Sequence, residues 1–261
     1  VKKIGVQGLT GKTGRYILSV FGDLKKDFQL VAIVRNKNSN GLFLDTGESI
    51  EQYTVEELQI KKISLDVILD FTTPSATIPL AEYCKSTKTP LLVATTGFTP
   101  EQIKILGDFA NGHFPLLRAP NTSIGVLALV ELCKSARIML GDSFDIEISE
   151  IHHNQKKDAP SGTAVLLADA IKKEGRTLDV VHDRGAIHAA RSPESLGVTA
   201  IRGGTVVGEH TVYFIGQGER LELTHRAWDR AIFARGALSL GLVLMNKQPG
   251  FYTVNRDFLG V

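Results

Sequence analysis

Cysteine is scarce in this 261-residue chain: Cys84 and Cys133 are the only two, and they lack the paired spacing of a metal site. They read as two reduced, buried thiols rather than a disulfide framework. Charge of one sign is also missing, since 30 Lys and Arg face 28 Asp and Glu for a net +2 with no basic run. That balance argues against nucleic acid as the partner and leaves room only for a local basic patch on a phosphate-rich small molecule. No apolar run reaches the roughly 20 residues that cross a bilayer, so no membrane role is expected. Val1 to Gly8 is strand material and not the apolar core of a signal peptide. What is present, 43% apolar and 22% charged, suits a globular chain of one large or two modest domains, expected in the cytoplasm.

The first half alternates strand and helix. Ile4 to Gly8 is a short strand, Gly8-Leu9-Thr10-Gly11-Lys12-Thr13-Gly14 is a turn, and helical spacing starts at Arg15 with Ile17, Leu18 and Phe21 on one side. Strand, glycine turn and helix in that order let a backbone approach a pyrophosphate at a helix N-terminus. Gln29 to Val34 forms the second expected strand, at whose end dinucleotide folds often carry an acid for the ribose hydroxyls. Here Val34 stands there, followed by Arg35, Asn36 and Lys37, a set suited to a 2′-phosphate, so NADPH is expected to serve at least as well as NADH. A connection is expected over 38–53 and a short helix after Thr54, with Glu57 completing a capping box.

Three further hydrophobic runs, Val67 to Phe71, Pro90 to Phe98 and the one opening at Leu116, each end in small or hydroxyl residues before a helix. In a parallel sheet such loops share the carboxyl edge, where ligands bind. Thr72, Thr95, Thr96 and Asn121 are therefore expected to line a cofactor crevice.

The architecture changes after a long helix, roughly 123–140. Asp145 to Glu150 alternates with period two, placing Ile146, Ile148, Glu150 and His152 on one face and His153 on the other. Regularity is expected to fail past Glu150. The segment Glu150-Ile-His-His-Asn-Gln-Lys-Lys-Asp-Ala-Pro-Ser-Gly-Thr163 then offers two imidazoles and Lys156, followed by an expected N-cap, Ser161, on a helix running from Thr163 to Lys173. The first-turn amides around Gly162 and Thr163, with a nearby cation, would hold a carboxylate. Strand-rich segments 203–216 and 219–227 flank a Gly216-Gln-Gly218 hairpin turn and complete an expected mixed, mostly antiparallel sheet. Such a sheet leaves one face to be buried by self-association. A last helix, about 230–246, returns the chain to the first domain. His210 and His225 read as hydrogen-bonded structural residues, and a zinc site built from His152, His153 and Asp158 or Glu150 lacks a third ligand of suitable spacing.

The Glu150–Thr163 segment resembles the signature of the dihydrodipicolinate reductase family, now called 4-hydroxy-tetrahydrodipicolinate reductase, of bacterial and plant lysine synthesis. Other segments follow in family order, among them Asp70-Phe-Thr72, Thr95-Thr-Gly-Phe98, Arg202-Gly-Gly and Val207-Gly-Glu-His-Thr211. The resemblance implies a Rossmann-type parallel-sheet domain, 1–122 with 231–261, and a substrate-binding and oligomerisation domain of α+β type, 123–230. It implies a homotetramer, a dicarboxylate substrate and NADPH or NADH, in the cytoplasm or, in a plant, the plastid stroma. It assigns His152 and Lys156 as catalytic and His153, Ser161, Gly162 and Thr163 as substrate-binding. Nucleotide contacts fall on Gly8, Leu9, Thr10, Gly11, Lys12, Thr13, Arg35, Phe71, Thr72, Ala94, Thr95, Thr96, Ala119, Pro120, Asn121 and Thr122, with no metal. The chain departs from the family at Gly11-Lys-Thr-Gly14, usually Gly-Arg-Met-Gly, and at Val34, commonly an acid. Both departures bear on coenzyme choice. Two other readings stay open on the sequence: a different imine or amino-acid dehydrogenase of the same plan, and a non-catalytic nucleotide-binding regulator.

Overall fold

The computed structural model describes residues 1–24, 26–36, 41–175, 177–182, 184–185 and 188–260. Lys37 and the start of the expected 38–53 connection lie outside the described residues. The chain divides into two compact units, 1–123 with 230–261, and 124–229.

The first unit opens with β1 (Lys2–Gln7), α1 (Arg15–Val20), β2 (Phe28–Ile33), β3 (Glu51–Tyr53) and α2 (Val55–Ile60). It continues through β4 (Val67–Asp70), α3 (Pro74–Thr87), β5 (Leu91–Val93), α4 (Pro100–Ala110) and β6 (Pro115–Arg118). The central strands β4 and β5 are short and buried throughout, as parallel strands covered on both faces must be. Helix starts follow local chemistry. Thr54 Oγ1 accepts from Glu57 N while Glu57 returns a bond to Thr54 N, and Thr99 and Gln102 repeat the capping box before Pro100.

The second unit holds α5 (Ile124–Leu140), β7 (Asp145–His152), α6 (Gly162–Lys172), β8 (Asp179–Val181), β9 (Ser195–Arg202), β10 (Gly208–Ile215) and β11 (Arg220–Ala227). Its sheet runs β11-β10-β7-β9-β8. The antiparallel ladders of β10 with β11 and with β7 pair eight and seven residues; the parallel ladders of β9 with β7 and with β8 pair seven and three. Ile146, Ile148, Val212 and Phe214 point from one face into a core completed by Leu129, Cys133, Leu167 and Ile171 of α5 and α6.

The chain then re-enters the first unit as α7 (Ala231–Leu244), β12 (Gly250–Thr253) and α8 (Arg256–Leu259). The first sheet is thus seven-stranded and parallel throughout, in the order β12-β6-β5-β4-β1-β2-β3. Order reverses beside β1, so the loops after β1 and β4 flank the crevice where such sheets bind ligands. No helix among the described residues is long and apolar enough to cross a membrane. Both cysteines are buried free thiols, and burial pushes Cys133 up to about 12.

Four strands, and the short α8, differ from the sequence reading. The 38–53 connection contains β3, and β8, β9 and β12 were not expected from local pattern. β3, β8 and β12 are only three or four residues long and are strands because a neighbour pairs with them. β7 also stays regular through His152, since β9 and β10 both pair along it; the expected breakdown past Glu150 does not occur.

At the end of β4, Asp70 is fully buried and accepts from three threonine hydroxyls: Thr72 at 2.5 Å, Thr77 at 2.5 Å and Thr95 at 2.7 Å. Burial nevertheless holds its carboxyl above the ordinary range, with the hydroxyls opposing that rise. Thr77→Val removes one donor without changing shape. It is expected to lower the unfolding free energy by about 1.5–3 kcal/mol, read as a lower urea midpoint at unchanged slope.

Candidate active site

The alternation of β7 that buries Ile146 and Ile148 also carries Glu150 and His152 inward, to 0% and 8% exposure. An isolated carboxylate in that position would be severely destabilising. Glu150 is instead saturated. Arg202, in register with His152 on the neighbouring β9, donates from both terminal nitrogens at 2.8 Å, one to each oxygen. Ser161 N–H donates to Oε1 at 3.0 Å and His152 Nδ1 meets Oε2 at 2.5 Å. Burial raises the carboxyl, but the guanidinium, imidazole and amide outweigh it and hold Glu150 below its usual range. Arg202 also donates to the carbonyl of Asp158 at 2.7 Å, tying the loop to the sheet.

With Nδ1 engaged, Nε2 is the nitrogen of His152 left for chemistry. A Cβ at Gly208 would lie 2.9 Å from that Nε2, so glycine keeps the space beside it clear. The ring packs edge-on against His210, centroids 5.1 Å apart at 74°. Burial lowers the proton affinity of His152; Glu150 opposes that, and Lys156 and Arg202 add to it. His210 is more deeply desolvated and, beside His152, is pushed down to about 3, so it stays neutral. Its Nε2 forms a 3.0 Å hydrogen bond with Ser161 Oγ.

The loop after β7 is pinned by the turn after β9. His153 N–H donates to Val206 O, Asn154 N–H to Gly204 O, and Gly203 N–H to His152 O. Lys156 is fixed by its own N–H to His153 O, and its ammonium meets both oxygens of Asp158 at 2.9 Å. Two of three ammonium donors are thereby engaged.

Ser161 caps α6 as its sequence position predicts, accepting from Ala164 N at 3.2 Å. Both of its polar groups are engaged within the protein. Ser161 is 2% exposed; its amide is committed to Glu150 and its hydroxyl to His210 and Ala164. Gly162 begins the helix and is exposed, and Thr163 is half-buried, so the helix start presents itself at these two residues.

The expected nucleotide residues gather at the carboxyl edge of the first sheet. Gly8 adopts φ +95, where a Cβ would also sit 2.6 Å from Phe71 O, and a Cβ on Gly14 would lie 2.1 Å from Gly8 O. The turn therefore needs glycine at both points and folds flat against the end of β4. Gly8, Leu9, Thr10, Val34, Arg35, Asn36 and Thr72 border a cavity of about 380 Å³. No carboxylate stands at the end of β2, where Arg35 and Asn36 are exposed. A glycine turn opening on such a cavity fits a dinucleotide.

Several residues of that set have committed side chains. Leu9 is buried at 3%; Thr95 Oγ1 donates to Asp70 and accepts from Thr72 N; Thr122 Oγ1 donates to Phe233 O; Asn121 Oδ1 accepts from Ser123 N. Their backbones, with exposed Thr96 and Pro120, form the edge. Asp70 and Arg202 carry no assigned role in the sequence reading, and His210 only a structural one. The period-two parity that aligns Glu150 with Ile146 was the one signal that this carboxylate is buried and needs a cation.

The N-terminal model of dihydrodipicolinate reductase matches residues 2–122 and its C-terminal model residues 125–259. The 4-hydroxy-tetrahydrodipicolinate reductase of Syntrophotalea carbinolica is 39% identical over 268 residues, covering 99% of each chain. That of Trichlorobacter lovleyi is 43% identical over 199 residues, 75% of this chain and 74% of its own. The solved dipicolinate-bound dihydrodipicolinate reductase from Paenisporosarcina sp. TG-14 superposes with a TM-score of 0.75 at 25% identity over 98% of each chain. With both models matched along nearly its whole length, this chain belongs to the dihydrodipicolinate reductase family, NAD(P)H-dependent oxidoreductases of diaminopimelate and lysine biosynthesis.

Proposed function

We propose that the chain reduces 4-hydroxy-tetrahydrodipicolinate to tetrahydrodipicolinate with His152 as proton donor, and that the buried Glu150–His152 pair is the observation that carries this assignment. A nicotinamide coenzyme held at the Gly8–Thr13 turn would supply the hydride that C4 of the unsaturated cyclic imine takes up. The electrons displaced onto the substrate are relieved by a proton from His152 Nε2, the ring nitrogen that Glu150 leaves available. Lys156, with one ammonium donor beyond its Asp158 pair, assists departure of the substrate hydroxyl as water and draws in a carboxylate. Gly162 and Thr163 hold a carboxylate at the start of α6, and His153 is a further substrate contact. The substrate is thus a small dicarboxylate, and residues 1–122 with 231–261 serve the coenzyme while 123–230 serve substrate and assembly.

The coenzyme is held by the Gly8–Thr13 turn and by Phe71, Thr72, Ala94, Thr95, Thr96, Ala119, Pro120, Asn121 and Thr122, through backbone where side chains are committed. Arg35 receives the ribose end. The open face of the second sheet, with Thr199 and Ile201 exposed on β9, is the surface through which four copies assemble. Sedimentation equilibrium of the purified protein is expected to give four times the mass of the chain, and a monomer would remove the assembly from the proposal. The cell compartment that suits these features is the cytoplasm.

The activity is tested by NADPH oxidation coupled to dihydrodipicolinate synthase, which supplies the unstable substrate. His152→Gln is expected to cut kcat by about 10²–10⁴-fold while NADPH binding, measured by fluorescence titration, persists. Unchanged turnover would remove His152 from the chemistry. NADPH should bind at least as tightly as NADH at moderate salt, and Arg35→Ala should weaken NADPH more than NADH. Much tighter NADH binding by the parent protein would refute the role given to Arg35.

A further inference from the structure

A neutral imidazole carries its proton on either ring nitrogen, and the partner of one nitrogen decides what the other can do. The ionisable groups around His152 are Glu150 on its own strand, Lys156 with its paired Asp158 in the following loop, Arg202 on β9 and His210 on β10. Only Glu150 is hydrogen-bonded to the ring among the described residues, at Nδ1. The carboxylate cannot swing away, because each oxygen receives two donors: Arg202 and Ser161 N–H at Oε1, Arg202 and His152 at Oε2. His210, itself tied to Ser161 Oγ, closes the side of the ring.

We propose that Glu150 is a positioning residue for the reduction: clamped by Arg202 and the Ser161 amide, it holds His152 with one proton on Nδ1, so that Nε2 carries the proton that is transferred. The inference rests on the reading of His152 as proton donor. In the step, the Nε2–H bond breaks as its proton joins the anion left by hydride addition. The Nδ1 proton stays against Glu150 and the ring is left neutral. One proton from solvent to Nε2 restores it. Glu150 has a second effect. Burial, Lys156 and Arg202 all disfavour the imidazolium, and the adjacent carboxylate is what opposes them. Ser161 enters the same device from the other half of the motif, which explains why its polar groups face inward.

The test compares Glu150→Gln and Glu150→Asp with the parent protein, following kcat and KM against pH, NADPH binding, and the His152 ring nitrogens by ¹⁵N NMR. His152 donates while protonated, so kcat falls as pH rises through its pKa. Removing the neighbouring carboxylate lowers that pKa. In Glu150→Gln the fall is expected to begin about one pH unit or more lower, leaving kcat about tenfold down per unit at higher pH. KM should move less, and Glu150→Asp should recover part of the loss. In the parent protein, neutral His152 is expected to show its proton on Nδ1. A profile at unchanged pH in a Glu150→Gln protein that still binds NADPH overturns the proposal, as does a neutral ring protonated on Nε2. If Glu150→Gln does not fold, the parent tautomer decides alone. Full turnover by His152→Gln would instead defeat the underlying reading of His152, and the tautomer measurement separates the two failures.

Discussion

The second unit is arranged around one buried negative charge. Glu150 has no exposure, and four donors from three chain segments converge on it: the Arg202 fork from the end of β9, the amide before α6, and the imidazole two residues along its own strand. A carboxylate out of water is costly unless matched by a cation with good geometry. The matching here does more than satisfy it. It closes the loop between β7 and α6 onto the sheet, brings the histidine half of the motif against the helix-start half, and leaves a single imidazole nitrogen uncommitted beside Gly208, where a side chain would crowd it. The proton donation proposed for His152 depends on that closure, because a donor on a free loop would have neither fixed tautomer nor fixed direction.

The first unit also buries a carboxylate at the end of a strand, and the contrast is informative. Asp70 is surrounded by the hydroxyls of Thr72, Thr77 and Thr95 and, among the described residues, has no guanidinium against it. Its carboxyl is therefore held above the usual range, whereas Glu150 is held below. Asp70 links the loops after β4 and β5 at the carboxyl edge of the first sheet. One buried acid ties together the carboxyl edge of the first sheet, and the other is bonded to His152, the residue proposed to donate the proton.

Much of the fold was legible because local pattern and tertiary role agree. The capping box at Thr54 and Glu57, the continuous apolar runs of β4 and β6, the glycine turn between β1 and α1, and the Ser161 cap all appear where residue type and spacing put them. β3, β8 and β12 were not legible, since three or four residues carry no periodicity and become strands only by pairing. The same limit applied to His152. Its place on a regular strand depended on β9 and β10 lying on both sides, which the sequence of β7 alone does not state.

For the site, sequence by itself determined which chemical groups are present: two imidazoles, a lysine, a capped helix start and a glycine turn in an order that marks the family. It could do so because turns, caps and strand parity are governed by contacts within a few residues. Only the tertiary structure decided which of those groups face outward. Ser161, Thr95 and Thr122 each turn a hydroxyl inward, to His210, Asp70 and the Phe233 carbonyl. Glu150, Arg202 and His210 lie up to 60 residues apart in the chain and meet only because β7, β9 and β10 are neighbours in one sheet. Hydrogen-bond commitment is a property of that meeting, and no residue's spacing along the chain contains it.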